Sequence, residues 1–177
     1  MSSLKKNHFA LFGLPEGFAI DPRGLDTAWR NVQGAVHPDR FAGASDTERR
    51  VAMQMATQVN EAYRTLKDPA RRAAYLCALH GADPLVHSNT AMPADFLMQQ
   101  MEWRERLQEA ADARSTDACD ALRGEVDHMR AALIAALGSA IDAQGDYPLA
   151  AERVRQLMFV DRFASEIDDA EERLLQA

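Results

Sequence analysis

Apolar residues recur along this chain at helical spacing and almost nowhere alternate as a strand would require. Leu25, Ala28, Trp29, Val32 and Val36 fall on one helical face. Asp21-Pro22 supplies its start, with Asp able to accept backbone N–H bonds and Pro tolerated at the first helical position. Pro38 disfavours helical backbone at His37, so the helix is predicted to end near Val36. After a loop containing Gly43, Ser45 and Glu48 form a capping box. The next helix carries the stripe Ala52, Met55, Ala56, Val59, Ala62, Tyr63 and Leu66. Asp68-Pro69 restarts a helix through Ala73, Leu76 and Leu79, closed by Gly81. Asn7 caps a short opening helix through Phe9 and Phe12, ended by Gly13. The expected unit is an antiparallel helical hairpin with short flanking helices.

Residues 81–92 hold Pro84, His87, Ser88 and Asn89 without sustained periodicity and read as a linker. Beyond them, a long helix covers about residues 93–114. A second begins near Ser115, buries Leu122, Val126, Met129, Leu133 and Leu137, and ends at Gly145. Asp146 caps a third, lined by Leu157, Val160, Ala164, Ile167 and Leu174. Short connections make neighbours antiparallel, so the prediction is a three-helix bundle. The chain as a whole is all-α, divided into residues 1–80, a linker at 81–92 and a bundle at 93–177.

The first long helix carries more apolar surface than one buried stripe needs. Phe96, Trp103, Leu107 and Ala110 cluster within about 60° and form a core stripe. Leu97, Met98 and Met101 lie about 100–200° away, beside Arg104 and Glu105. A charge-bordered apolar patch rich in adaptable Met has the makeup of a protein-binding surface. The pattern alone equally allows these residues to pack against the N-terminal unit or the third helix of the bundle.

Composition narrows the function classes. The 177 residues are 47% hydrophobic and 7% aromatic, enough for packed cores. Apolar runs are too short for a membrane span, and residues 1–9 lack the apolar stretch of a secretory signal, so a cytoplasmic protein is expected. Cys77 and Cys119 stand apart and read as small buried hydrophobes, and the five histidines show no ligand spacing, so no metal site or cofactor is expected. Net charge is −7, divided into +3 over residues 1–80 and −10 over residues 81–177, as if two units met different partners. A diffuse +3 gives little purchase on nucleic acid. Enzymatic use of His37 and Asp39 lacks a nucleophile constellation, a phosphate loop and a metal site.

The loop of the hairpin contains His37-Pro38-Asp39, in which Pro stiffens a turn that offers an imidazole and a carboxylate to a partner. Downstream stand Asn60, Ala62, Tyr63, Leu66, Asp68, Pro69, Arg72 and Tyr75. Loop and spacing together resemble the J-domain over roughly residues 7–80. The resemblance implies that His37, Pro38 and Asp39 contact a DnaK-type chaperone and accelerate its ATP hydrolysis. J-domains usually carry several cations just before this loop. Here Gln33-Gly34-Ala35-Val36 stand there, with Arg30 and Arg40 the nearest, which favours a dedicated chaperone partner.

Three further segments extend the resemblance to almost the whole chain. Residues 9–15 (FALFGLP), 95–105 (DFLMQQMEWRE) and 155–161 (RQLMFVD) are similar to the HscB family, J-proteins of bacterial iron–sulfur cluster assembly. That family's acidic bundle binds the scaffold IscU, and its J-domain delivers the complex to the chaperone HscA. Carried over, Leu97, Met98, Met101 and Phe159 are expected as hydrophobic anchors, with Glu102, Arg104 and Glu105 as polar fringe. Gln99 replaces the family's usual Glu, removing any salt bridge at that position. The alternative expectation is a J-domain co-chaperone serving another client.

Overall fold

The computed structural model of the protein describes residues 7–36, 43–84 and 92–176. Among them are seven α-helices: α1 (His8–Phe12), α2 (Pro22–Val36), α3 (Asp46–Lys67), α4 (Pro69–Leu79), α5 (Ala94–Asp112), α6 (Thr116–Gly138) and α7 (Tyr147–Leu175). No strand occurs among the described residues. The chain divides into two compact units, Met1–Leu76 and Cys77–Ala177.

In the first unit, α2 and α3 run antiparallel. Asp26 meets Tyr63 and Trp29 meets Asn60, so the partner's number falls as the helix advances. The Tyr63 hydroxyl donates to Asp26 at 2.7 Å and accepts from the Lys67 ammonium at 2.6 Å. That hydroxyl, with Lys67 and Arg30 beyond it, holds the Asp26 carboxyl below its ordinary range. Trp29 stacks on Tyr63 and donates its indole N–H to Asn60 at 3.2 Å. Leu25, Val59, Ala62 and Leu66 fill the space between the helices, closed on α1 by Phe9 and Phe12. The predicted caps are present: Asn7 accepts from Ala10 N–H, Ser45 and Glu48 form the reciprocal box, and Asp68 accepts from Arg71 N–H. Gly13 ends α1 with φ at 66°, a left-handed conformation that costs glycine little.

The contacts of Phe18, Arg72 and Tyr75 in this unit escaped the helical pattern. Phe18, in the segment between α1 and α2, is buried, and the Arg72 guanidinium lies 4.9 Å from its ring centre. Arg72 also donates to the Leu66 carbonyl at 2.5 Å, satisfying an acceptor near the α3 C-terminus. Tyr75 stacks on His8 at 4.1 Å and its hydroxyl accepts the His8 backbone N–H at 3.0 Å, tying α4 to α1.

The second unit is a three-helix bundle. Arg130 bonds Asp161 while Arg123 bonds Asp168 and the Ala164 carbonyl, so α6 and α7 are antiparallel. Phe96 meets Phe159 and Trp103 meets Phe163, so α5 and α7 run parallel. Leu122, Val126, Leu137, Leu157, Val160 and Ile167 form the centre. Two sequence expectations change here. The second long helix does not stay α-helical to Gly145, because α6 stops at Gly138 and a π-helical turn spans Ser139–Gln144. The wider turn accommodates an extra residue while Ala140 and Ile141 both stay buried. Leu107 and Leu174, expected in core stripes, are only half-buried and edge a cleft between α5 and α7.

Candidate functional site

The hairpin loop bearing His37, Pro38, Asp39 and Arg40 lies outside the described residues. Its frame is described: α2 runs to the buried Val36, and the capped α3 resumes at Asp46. Arg30 is solvent-exposed on α2. A cleft of about 220 Å³ opens where Val36 faces Thr47, Val51 and Met55 of α3. Val51 and Met53 are exposed on this stretch, apolar surface that the sequence reading did not single out.

On the bundle, α5 separates its two apolar groups as the wheel geometry predicts. Phe96, Trp103 and Ala110 are buried, with Trp103 stacked 5.6 Å from Phe163. Leu97, Met98 and Met101 are 46%, 66% and 73% exposed, so the other helices of the bundle leave them largely uncovered. Glu102, Arg104 and Glu105 are exposed around it. The Gln99 amide N–H donates to the Glu102 carboxylate at 3.5 Å.

Phe159 has a mixed place. It packs edge-on to Phe96 at 5.8 Å and stacks on Phe163 at 6.0 Å, and the Arg104 guanidinium sits 5.8 Å from its ring centre. Phe159 thus supports α5 from beneath, leaving a half-buried ring to face outward. Met158, its neighbour, is exposed and was missed by the sequence reading, which placed no weight on a single Met outside the core stripe.

Both cysteines are buried, and burial pushes the Cys77 thiol up to about 11. Burial raises Cys119 as well, with Glu171 and Asp120 adding to it. Neutral buried thiols are poor metal ligands. Among the described residues, no group of three or more His, Cys, Asp or Glu could hold a metal ion. No helix among them is long and apolar enough to cross a membrane.

The sequence is 55% identical to a protein of Burkholderia mallei named co-chaperone protein HscB homolog, over 98% of this chain and 99% of that protein. This chain belongs to the HscB co-chaperone family. The family described as the HSCB C-terminal oligomerisation domain matches residues 92–168, the stretch holding the exposed α5 patch. Chaperone HscB from Vibrio cholerae superposes with a TM-score of 0.83 at 38% identity, over 96% of this chain and 99% of that one. Human co-chaperone HscB gives 0.84 at 28% identity, over 93% of this chain and 81% of that one. The HscB architecture, a J-domain followed by a C-terminal helical bundle, is therefore that of this chain.

Proposed function

We propose that this protein stimulates ATP hydrolysis by an HscA-type chaperone in the cytoplasm and delivers an IscU-type iron–sulfur scaffold to it. Residues 1–80 act on the chaperone through His37, Pro38 and Asp39, assisted by Arg30 and Arg40. Residues 93–177 hold the scaffold on Leu97, Met98, Met101 and Phe159, fringed by Glu102, Arg104 and Glu105. The linker at 81–92 joins them. The protein activates another molecule's ATPase and has no catalytic role of its own in this reading.

The observation that carries the proposal is the exposed Leu97/Met98/Met101 face in the segment that resembles HscB. Water contact at three large apolar side chains is unfavourable, by about 25 cal/mol per Å² of apolar area, until a partner covers them. The test is steady-state ATP turnover by an HscA-type chaperone alone, with this protein, with IscU, and with both. Stimulation by this protein, and greater stimulation with the scaffold present, is expected. Asp39→Ala should abolish it while moving stability by less than about 0.5 kcal/mol, as surface loop substitutions usually do. Undiminished stimulation by the folded variant overturns the chaperone half, and an absence of scaffold synergy points to another client.

A further inference from the structure

The cleft between α5 and α7 has a composition unlike the surface around it. Its floor is aliphatic, with Leu107 and Ala111 from α5 facing Ala170 and Leu174 from α7, and its volume is about 280 Å³. Its rim carries Arg104 and Arg173, with Gln108 and Glu166 beside them. Glu166 is engaged by Arg162 at 3.3 Å, and the Gln108 amide by Asp112 at 2.9 Å. The two arginines are differently placed. Among the described residues Arg104 contacts only the Phe159 ring, and Arg173 gives its Nε to the Asp169 carbonyl at 2.8 Å. Among the described residues neither forms an ion pair, although residues 81–177 carry a net charge of −10.

The cleft also continues the apolar patch. Leu97, Met101, Arg104 and Gln108 stand at i, i+4, i+7 and i+11, one stripe of α5. Across the cleft, Glu166, Ala170, Arg173 and Leu174 share one face of the parallel α7. From Leu97 to Ala111 the stripe is about 21 Å long at 1.5 Å per residue, so a partner segment seated on the patch can extend along it.

We infer that the partner-binding face runs past Met101 into this cleft, where Arg104 and Arg173 receive a carboxylate borne on an aliphatic segment of the partner. The inference rests on the reading of Leu97, Met98 and Met101 as the client face. Guanidinium groups pair with carboxylates through two parallel hydrogen bonds, and Arg173 has both terminal nitrogens available for this. The half-buried Leu107 and Leu174 supply apolar contact for the side chains flanking the acid. Arg173 is the new element: it lies outside the segments 9–15, 95–105 and 155–161 and beyond the family match at residues 92–168.

The experiment is calorimetric titration of the full-length protein with IscU at several salt concentrations. Wild type, Arg173→Glu and the Leu97→Ala/Met98→Ala/Met101→Ala variant are compared. Arg173→Glu should weaken binding at least tenfold and flatten its salt dependence. Substituting Lys for the matching scaffold Asp or Glu, found by a scan, should restore affinity to Arg173→Glu and not to wild type. Should Arg173→Glu lower the melting temperature, Arg173→Gln keeps a donor for the Asp169 carbonyl and removes the charge; a loss of at least threefold is then expected. Full affinity in the charge variant, with a weakened apolar variant, overturns the extension and leaves the patch intact. Full affinity in the apolar variant overturns the client face itself.

Discussion

Cutting Leu97, Met98 and Met101 to alanine separates what these side chains do for the fold from what they do for a partner. Each substitution removes three heavy atoms beyond Cβ, about 2.4 kcal/mol of transfer free energy at roughly 0.8 per methylene-sized group. Exposures of 46%, 66% and 73% leave about 1.3, 0.8 and 0.6 kcal/mol of that already realised in the folded chain. The total, about 2.7 kcal/mol, is an upper bound because unfolded chains bury part of the same surface. Alanine's better helix propensity offsets a few tenths at each position. A domain with an ordinary stability of about 5–15 kcal/mol stays folded through that loss.

The exposed fractions are what a partner gains by covering the patch: about 1.1, 1.6 and 1.8 kcal/mol. Together they correspond to about three decades of affinity at 1.4 kcal/mol per decade. Non-additivity among neighbouring anchors lowers the expectation to at least two decades. Calorimetry with IscU reads the affinity, and thermal melting of the same samples reads the fold. Trp103, buried beneath the patch on the same helix, reports local disruption through its fluorescence. Affinity within a few-fold of wild type in a cooperatively melting variant would refute the client face. Loss of cooperative melting would show that the three side chains belong to the core after all.

Two further predictions concern the J-domain. Burial depresses the His8 pKa, with Glu61 opposing, so the folded protein holds the ring neutral against Tyr75. The stability this provides is complete above the ring's ordinary pKa and is lost as pH falls through it toward the folded value. His8→Phe keeps a stacking ring and removes the proton site; melts across neutral to mildly acidic pH should therefore fall less steeply than in wild type, and parallel curves would contradict this. Arg72→Met should cost about 2–3 kcal/mol, from an unsatisfied Leu66 carbonyl and a lost cation–π contact, measured by chemical denaturation. A change under about 0.5 kcal/mol would mean that water replaces the guanidinium.

The parts of this fold legible in the sequence are those set by local geometry. Asn7, Ser45, Asp68 and Asp146 each cap a helix, because the cap is a short-range bond to a backbone N–H three residues on. The α5 wheel separated Trp103 from Met101 because both faces belong to one helix. Periodicity says which face is apolar, but it cannot say whether a neighbouring helix covers it. Leu107 and Leu174 obey their stripes and still line a cleft. The π turn after Gly138 escaped notice because nothing in its composition opposes an α-helix. Phe18 escaped because a single buried aromatic in a connecting segment has no period.

The motif that marks the J-domain is a construction motif. Asn60 holds Trp29, Tyr63 holds Asp26, Asp68 caps α4, Arg72 closes α3 against Phe18, and Tyr75 holds α1. Ala62 and Leu66 are fully buried. These residues fix two antiparallel helices whose joint is the His37–Asp39 loop, so their information concerns the frame that presents the loop. A frame of this kind is shared by any J-protein whatever it serves, and it cannot name the client. In the proposed function that information sits on α5, where Leu97, Met98 and Met101 form an apolar patch exposed to water. Joining the two on one chain has a physical consequence. Under the proposed function, a scaffold held on α5 would meet the chaperone at an effective concentration set by the connecting segment, on the order of millimolar for short linkers, so synergy in ATP turnover would require neither contact to be tight by itself.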